Sequence, residues 1–214
     1  MELIDKIERL IPSDIEKRSF EIIGEELNKM GIVLPAENES VIKRAIHTSA
    51  DFDYAHTLKF SENAVKIACD LIANGADIVT DTNMGLTGIS KKTLAKYGGT
   101  VHCFMADEDV AREAKERGIT RASVSMEHAM KHKKPLIFAI GNAPTALITL
   151  YNAYKEGRYT PAFVIGVPVG FVNVEAAKEL IISTDIPHIV NRGRKGGSNV
   201  AAAICNAVLY AMKD

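Results

Sequence analysis

The chain has 214 residues, 47% hydrophobic content and a formal net charge of -1, from 26 Lys+Arg against 27 Asp+Glu. That length can bury one sizeable core and is expected to form one domain over residues 1–214, while the balanced charge excludes a global nucleic-acid binder or a polybasic membrane binder, so any anionic ligand is held by local charge. Cys69, Cys103 and Cys205 are odd in number and lack CxxC spacing, which excludes a disulfide framework and fits a reducing compartment.

In chain order, Met1 to Leu10 alternates charged with isolated apolar residues and lacks the continuous apolar segment of a secretory signal. Ser13-Asp14-Ile15-Glu16 reads as a capping box and Gly31 as the glycine that follows a helix. Between them Ile15, Ile22, Ile23, Leu27 and Met30 form an apolar stripe. Ser19 falls on that stripe, where a hydroxyl either bonds the backbone one turn back or faces a ligand, and Arg18 lies at its edge. A second helix is predicted from about Glu39 to Ser49, burying Val41, Ile42, Ala45 and Ile46. From Ser61 onward the pattern changes. A helix over Ser61 to Asn74 precedes Gly75, and apolar, β-branched runs then predict strands at 78–80, 100–104, 136–140, 162–165 and 188–190. Helical segments near 90–97, 107–133, 144–156 and 174–183 separate them, and a last helix runs from about Ser198 to Met212. Five strands alternating with helices imply an α/β fold, a mostly parallel five-stranded sheet flanked by helices, with an N-terminal helical region. The longest apolar stretch, Pro135 to Leu150, is broken at Gly141-Asn142-Ala143-Pro144 and is too short to span a bilayer. A cytoplasmic chain with no membrane or nucleic-acid partner is expected.

Ligands of open α/β sheets bind outside the carboxyl ends of the strands, which directs attention to four loops. These are Thr80-Asp81-Thr82-Asn83-Met84-Gly85, Gly141-Asn142-Ala143-Pro144-Thr145, Gly166-Val167-Pro168-Val169-Gly170 and Asn191-Arg192-Gly193-Arg194-Lys195-Gly196-Gly197-Ser198. The last opens a helix with glycines and three cations. Backbone N–H groups and a helix N-terminus there would suit an anion, the plainer reading being a flexible turn with an ordinary capping serine. No GxxxxGK[ST] occurs and no GxGxxG follows a strand, so the usual modes of nucleotide binding are disfavoured.

Six histidines remain. His128 and His132 are four apart on a predicted helix, a spacing that could chelate a metal, but the HExxH arrangement is absent and a solvated face is the plainer reading. His102 alternates with apolar neighbours, His188 begins a strand and His56 lies in a loop. His47 shares a helix face with Arg44, three residues earlier, along with Ser40 and Lys43, opposite the apolar arc. Such a face is ordinarily solvated, and it becomes catalytic if a ligand or a second subunit covers it. No metal-ligand motif or cofactor fingerprint emerges, so neither a metal nor a cofactor is expected.

Five blocks carry a resemblance: Arg18-Ser19-Phe20, the run from Ile42 through Arg44 and His47 to Asp53, Gly141 to Leu147, Gly166 to Val172, and Gly193 to Ala203. Together, in this order and over most of the chain, they resemble the precorrin-8X methylmutase family, the His47 block being more similar to its cobalt-precorrin-8 branch. The resemblance implies an α/β homodimer with its active site near the subunit interface. It implies an isomerase of cobalamin biosynthesis that moves a methyl group from C-11 to C-12 of the macrocycle without a methyl donor, any cobalt belonging to the substrate. Position by position, His47 matches the acid/base histidine, Ser19 and Arg44 match substrate-binding residues, and Arg121 looks like a further cation of the site.

The substrate so implied is a large apolar disc rimmed by carboxylates. Arg44, Arg121, Arg194, Lys195 and the N–H groups around Asn142, Gly193, Gly196 and Gly197 are expected to meet its arms. Ala143, Val167 and Pro168 are expected to meet its face, with Thr80, Asp81, Met84 and Pro144 in the surrounding loops. Two rival readings use the same features: a non-enzymatic corrinoid carrier, and, from the last loop alone, an α/β enzyme acting on a phosphorylated metabolite. A third role for His47, direct coordination of substrate cobalt, is also open.

Overall fold

The computed structural model describes residues 8 and 10–212, so that of Met1–Leu10 only Glu8 and Leu10 fall within it. Helix α1 (Pro12–Lys29) does not begin on the expected capping box. Its N-cap is Ile11, without a side-chain cap, and proline occupies the first turn, where a missing N–H costs nothing. It ends at Met30 and Gly31, the latter at φ 69°. The expected stripe is also corrected. Ile23 and Leu27 are buried, whereas Ile15, Ile22 and Met30 are 52%, 40% and 51% exposed, because α1 is the outermost layer and packs on α2 (Glu39–Ser49) along a narrow line. Helix α2 buries Val41, Ile42, Ala45 and Ile46 as its periodicity predicts.

The remaining elements alternate. They are α3 (Tyr54–Thr57), β1 (Leu58–Phe60), α4 (Ala64–Ala73), β2 (Asp77–Thr80), α5 (Asn83–Gly88), α6 (Lys91–Ala95), β3 (Val101–His102), α7 (Glu108–Arg117), α8 (Arg121–Ala129), β4 (Leu136–Ile140), α9 (Pro144–Lys155), β5 (Phe163–Gly166), α10 (Val174–Ile182), β6 (His188–Asn191) and α11 (Ser198–Ala211). The sheet runs β1-β6-β5-β4-β2-β3 and is parallel except for β1, which pairs antiparallel with β6. Six strands thus replace the expected five. Leu58-Lys59-Phe60 has no apolar run, and it becomes a strand by matching Leu58 to Asn191 and Phe60 to Ile189 across the sheet edge. The expected helix over 107–133 divides at Gly118, which sits at φ 64°, and Thr120 restarts it by accepting a hydrogen bond from the Ser123 N–H. The expected loop around Met84 is partly the short helix α5, capped by the Thr82 hydroxyl.

Strand residues alternate between two cores. Ile78, Ile137, Ala139, Phe163, Ile165 and Ile189 face α1, α2, α4 and α11, while Val79, Phe138, Ile140, Val164 and Val190 face α8, α9 and α10. Among the described residues no helix is long and apolar enough to cross a membrane.

Candidate active site

The order of strands reverses between β2 and β4, and the crevice there is where an α/β sheet usually admits a ligand. Here the protein fills it. The carboxylate of Asp81, 1% exposed, accepts the N–H groups of Gly141, Asn142 and Ala143 at 2.9, 2.8 and 2.6 Å. Burial pushes this carboxyl up, against the opposing pull of the three N–H donors. Next to it, the Thr82 hydroxyl donates to Ser198 Oγ at 2.7 Å, and a Cβ on Gly141 would come within 2.6 Å of the Ser198 Cα. Thr80 is fully buried, its hydroxyl donating to the carbonyls of Thr82 and His102. Thr80 and Asp81 therefore hold loops together from inside, and the N–H groups expected to bind an anion at 141–143 are already used.

The neighbouring loops redistribute the expected contacts. Val167 and Pro168 are buried, and Val167 O accepts the Gly197 N–H at 2.9 Å, which leaves Gly196 so close that a Cβ would sit 2.0 Å from that carbonyl. Apolar surface at this end comes instead from Met84, Val169, Phe171 and Val172, at 68%, 48%, 83% and 76% exposure. The cations of the last loop are paired. Arg192 meets Glu179, Arg194 meets Glu175 at 3.2 Å, and Lys195 Nζ lies 2.6 Å from both Asp51 and Asp53. These carboxylates hold the Lys195 ammonium well above its ordinary range. Sequence spacing gives no hint of Lys178, fully buried on α10, whose ammonium donates to the carbonyls of Gly193 and Lys195 at 2.6 and 2.8 Å and shapes the loop from beneath. Burial pulls Lys178 down to about 8. Asn142, Gly193, Arg194, Gly196 and the first turn of α9 from Pro144 remain accessible at the carboxyl end. Arg121 is exposed at the start of α8, beside that turn through the Thr120–Thr145 hydroxyl contact of 2.9 Å.

A second group lies along α11. Glu16, Arg44, His47, Thr48, Ala203, Asn206 and Tyr210 line a surface depression of about 600 Å³. The exposed imidazole of His47 stacks on Phe20, with ring centroids 5.3 Å apart and planes at 29°. The Arg44 guanidinium lies over Phe20 and Tyr210, at 4.7 and 5.3 Å from the ring centroids, and pairs with Glu16. Ser19 neighbours Phe20 on α1, but its hydroxyl donates to Ile15 O at 2.9 Å, the backbone option of the two open to it. The polar face of α2 thus sets an imidazole and a paired guanidinium against aromatic rings supplied by α1 and α11. The three-residue spacing of Arg44 from His47 and the resemblance point to this face, but neither gives Phe20 or Tyr210 a role in it. Helix α11 joins the two groups, with Ser198 at the loops and Ala203 to Tyr210 in the depression. The Lys195 bridge to Asp51 and Asp53, just beyond α2, is a second link.

The histidines at 128 and 132 do not share a solvated face. His128 Nε2 meets Glu113 at 3.0 Å, while His132, past the end of α8, turns to Asp77, its Nε2 2.8 Å from Oδ2. His102 approaches the same oxygen at 3.2 Å. His188 is buried, its Nδ1 2.8 Å from Ile186 O, and burial lowers its pKa.

Residues 14–211 match the family model described as precorrin-8X methylmutase. The chain is 42% identical over 208 residues to the cobalt-precorrin-8 methylmutase of Salmonella typhimurium, covering 95% of this chain and 97% of that one. It is 42% identical over 197 residues to the protein of the same name from Priestia megaterium, covering 92% and 87%. With the precorrin-8X methylmutase of Pseudomonas aeruginosa the identity is 37%, covering 91% and 93%. The crystal structure of the precorrin-8X methyl mutase of Thermus thermophilus superposes with a TM-score of 0.83 at 34% identity, covering 92% of this chain and 96% of that one.

Proposed function

The chain belongs to the precorrin-8X methylmutase family, and from that premise we propose that it is the isomerase that moves the C-11 methyl group of a precorrin-8 ring to C-12, with His47 as acid and base. The carbon–methyl bond at C-11 breaks as that at C-12 forms, so no donor or acceptor is consumed. A proton lent by His47 to the conjugated ring withdraws electron density from the migrating framework and returns to the imidazole when the corrin conjugation is regained. Histidine suits such exchange at neutral pH, and general acid–base catalysis contributes about 10²- to 10⁴-fold. Arg44, held over the rings of Phe20 and Tyr210, exchanges Glu16 for a substrate carboxylate, and Ser19 and Arg121 act as further substrate contacts. The observation that carries this reading is the exposed His47 ring stacked on Phe20 beside that fixed guanidinium.

The substrate is proposed to carry cobalt, in line with the names of the two relatives at 42% identity. A homodimer is proposed to close the site, since His47 and the outward Ile15 and Ile22 on either side of Ser19 form a face that a second copy would bury. Three unpaired cysteines suit the cytoplasm. The reading as a phosphorylated-metabolite enzyme loses its main support, because Arg192, Arg194 and Lys195 are already neutralised by carboxylates.

The test is His47→Ala, assayed by visible absorption with cobalt-containing and metal-free precorrin-8. Retained ring binding with loss of the spectral change on methyl migration is expected, and faster turnover of the cobalt form by the unaltered protein. Undiminished turnover by the variant would remove His47 from the mechanism. Wild-type protein that binds the ring and never rearranges it would make it a carrier. A ligand-field band that vanishes in the variant would make His47 a cobalt ligand.

A further inference from the structure

At the amino end of the parallel sheet, three side chains from distant parts of the chain converge. Asp77 is the first residue of β2, His102 the last of the edge strand β3, and His132 lies in the turn between α8 and β4. The Nε2 atoms of His102 and His132 stand 3.2 and 2.8 Å from one oxygen of Asp77, and the three ligand atoms all lie within 4.8 Å of one another. The imidazole planes are inclined at 56° to each other, with centroids 4.9 Å apart. Among the described residues this is the single group of three such donors that close together.

Donor atoms around a tetrahedral ion with bonds of about 2.0–2.1 Å are separated by roughly 3.3 Å, so the two nitrogen–oxygen distances need only a small expansion, and the two nitrogens lie within 4.8 Å of each other. The other carboxylate oxygen accepts the Thr100 N–H at 2.8 Å, an outer hydrogen bond of the kind that orients a ligating carboxylate and leaves Oδ2 to bind in monodentate fashion. Phe104 stacks on the His102 ring at 6.0 Å, with planes 1° apart, and fixes its tilt. The Asp77 side chain is 3% exposed while those of His102 and His132 are 26% and 32% exposed. Two imidazoles and one carboxylate therefore converge with a fourth side open to water.

We propose that Asp77, His102 and His132 form a binding site for one borderline divalent metal ion of the Zn²⁺, Co²⁺ or Ni²⁺ class, with water as the fourth ligand, tying β2, β3 and the β4 entry together. The donor set selects this class, because imidazole nitrogen favours it while Mg²⁺ and Ca²⁺ prefer all-oxygen shells. Lys134 is the adverse feature, an ammonium beside the same carboxylate. Its Nζ donates to Asp77 Oδ1 at 3.1 Å and to Gly98 O at 2.8 Å, and with its side chain 46% exposed it can give up the first bond for water as the ion enters. The site is built from different elements than the His47 face, so it acts as a structural clasp and stands or falls independently of the reaction assigned above.

The experiment titrates Co²⁺ into the full-length, tag-free chain without corrinoid substrate, reading the visible ligand-field absorption and the thermal midpoint with Zn²⁺. One equivalent of Co²⁺ should give the intense bands of a four-coordinate site, and Zn²⁺ should raise Tm. His132→Gln and His102→Gln each keep a side-chain N–H able to reach Asp77, so the hydrogen-bonded clasp and the fold survive, yet each removes a ligand. Both variants should lose the absorption and the Zn²⁺ effect, with affinity falling at least about 10-fold, the scale on which even outer-shell changes act. Titration that is not saturable, or Co²⁺ spectra unchanged in both variants, would overturn the proposal and leave a purely hydrogen-bonded clasp.

Discussion

Arg44 is a guanidinium with three commitments, to the faces of Phe20 and Tyr210 and to the carboxylate of Glu16. Two of these depend on its being planar. Lysine keeps the charge but not the planar, weakly hydrated cation that lies over two rings. Arg44→Lys is therefore expected to raise KM about 10-fold with a smaller change in kcat, since two cation–π contacts of about 0.5–1 kcal/mol each are lost while His47 stays in place. Steady-state kinetics checks this, and an unchanged KM would mean that Arg44 serves only the packing of α1 on α11. Residue by residue, the sequence is legible where a helical period is regular. The apolar arc Val41, Ile42, Ala45 and Ile46 puts His47 and Arg44 on the opposite face, as found. It is illegible where partners are remote. Asp77 finds His102 and His132 across 25 and 55 residues, and no local pattern encodes that.

The glycine-rich loop before α11 is an element whose shape is set from below. Lys178 holds two of its carbonyls, Gly193 O and Lys195 O, and the Asn191 side-chain amide donates to the second of them at 2.8 Å. Because burial takes the folded Lys178 down to about 8 from the ordinary 10.5, the unfolded chain binds more protons between those values. Stability from this group therefore rises with pH across that window and is least below it. Lys178→Met should remove that rise. It should also cost about 2 kcal/mol at neutral pH by orphaning Gly193 O, both seen as urea midpoints measured below pH 8 and above 10.5. A parallel pH dependence in both proteins would show that Lys178 keeps its ordinary pKa. Glycines and three cations in sequence suit an anion here, and a plain turn as well. The cations prove to be paired, and that pairing depends on Glu175, Glu179, Asp51 and Asp53, which packing alone brings near. For the same reason the three-residue β1 went unseen. Leu58, Lys59 and Phe60 carry too little pattern to announce a strand, and β6 makes them one.

At the scale of the whole molecule, the four long strand runs and the helices between them followed from apolar periodicity, and the two cores lie on the faces that alternation assigns. Among the described residues His47 stays exposed. Sedimentation equilibrium is expected to give twice the 23.3 kDa of the chain, and Ile15→Asp, on the outward side of α1, is expected to shift that mass toward the monomer and lower turnover together. A monomeric protein with full activity would show that the substrate alone covers the His47 face.

The two borders of the sheet bear on how copies can meet. One border is β3, two residues long; the other is β1, three residues long, antiparallel and with Lys59 at its centre. Neither presents a row of free backbone groups long enough to template another chain's strand. Self-association by endless strand addition is closed off, and with it the commonest route by which a parallel sheet nucleates fibrils. A pairing of two copies is left to side chains on helices, where it can close on itself and stop at two.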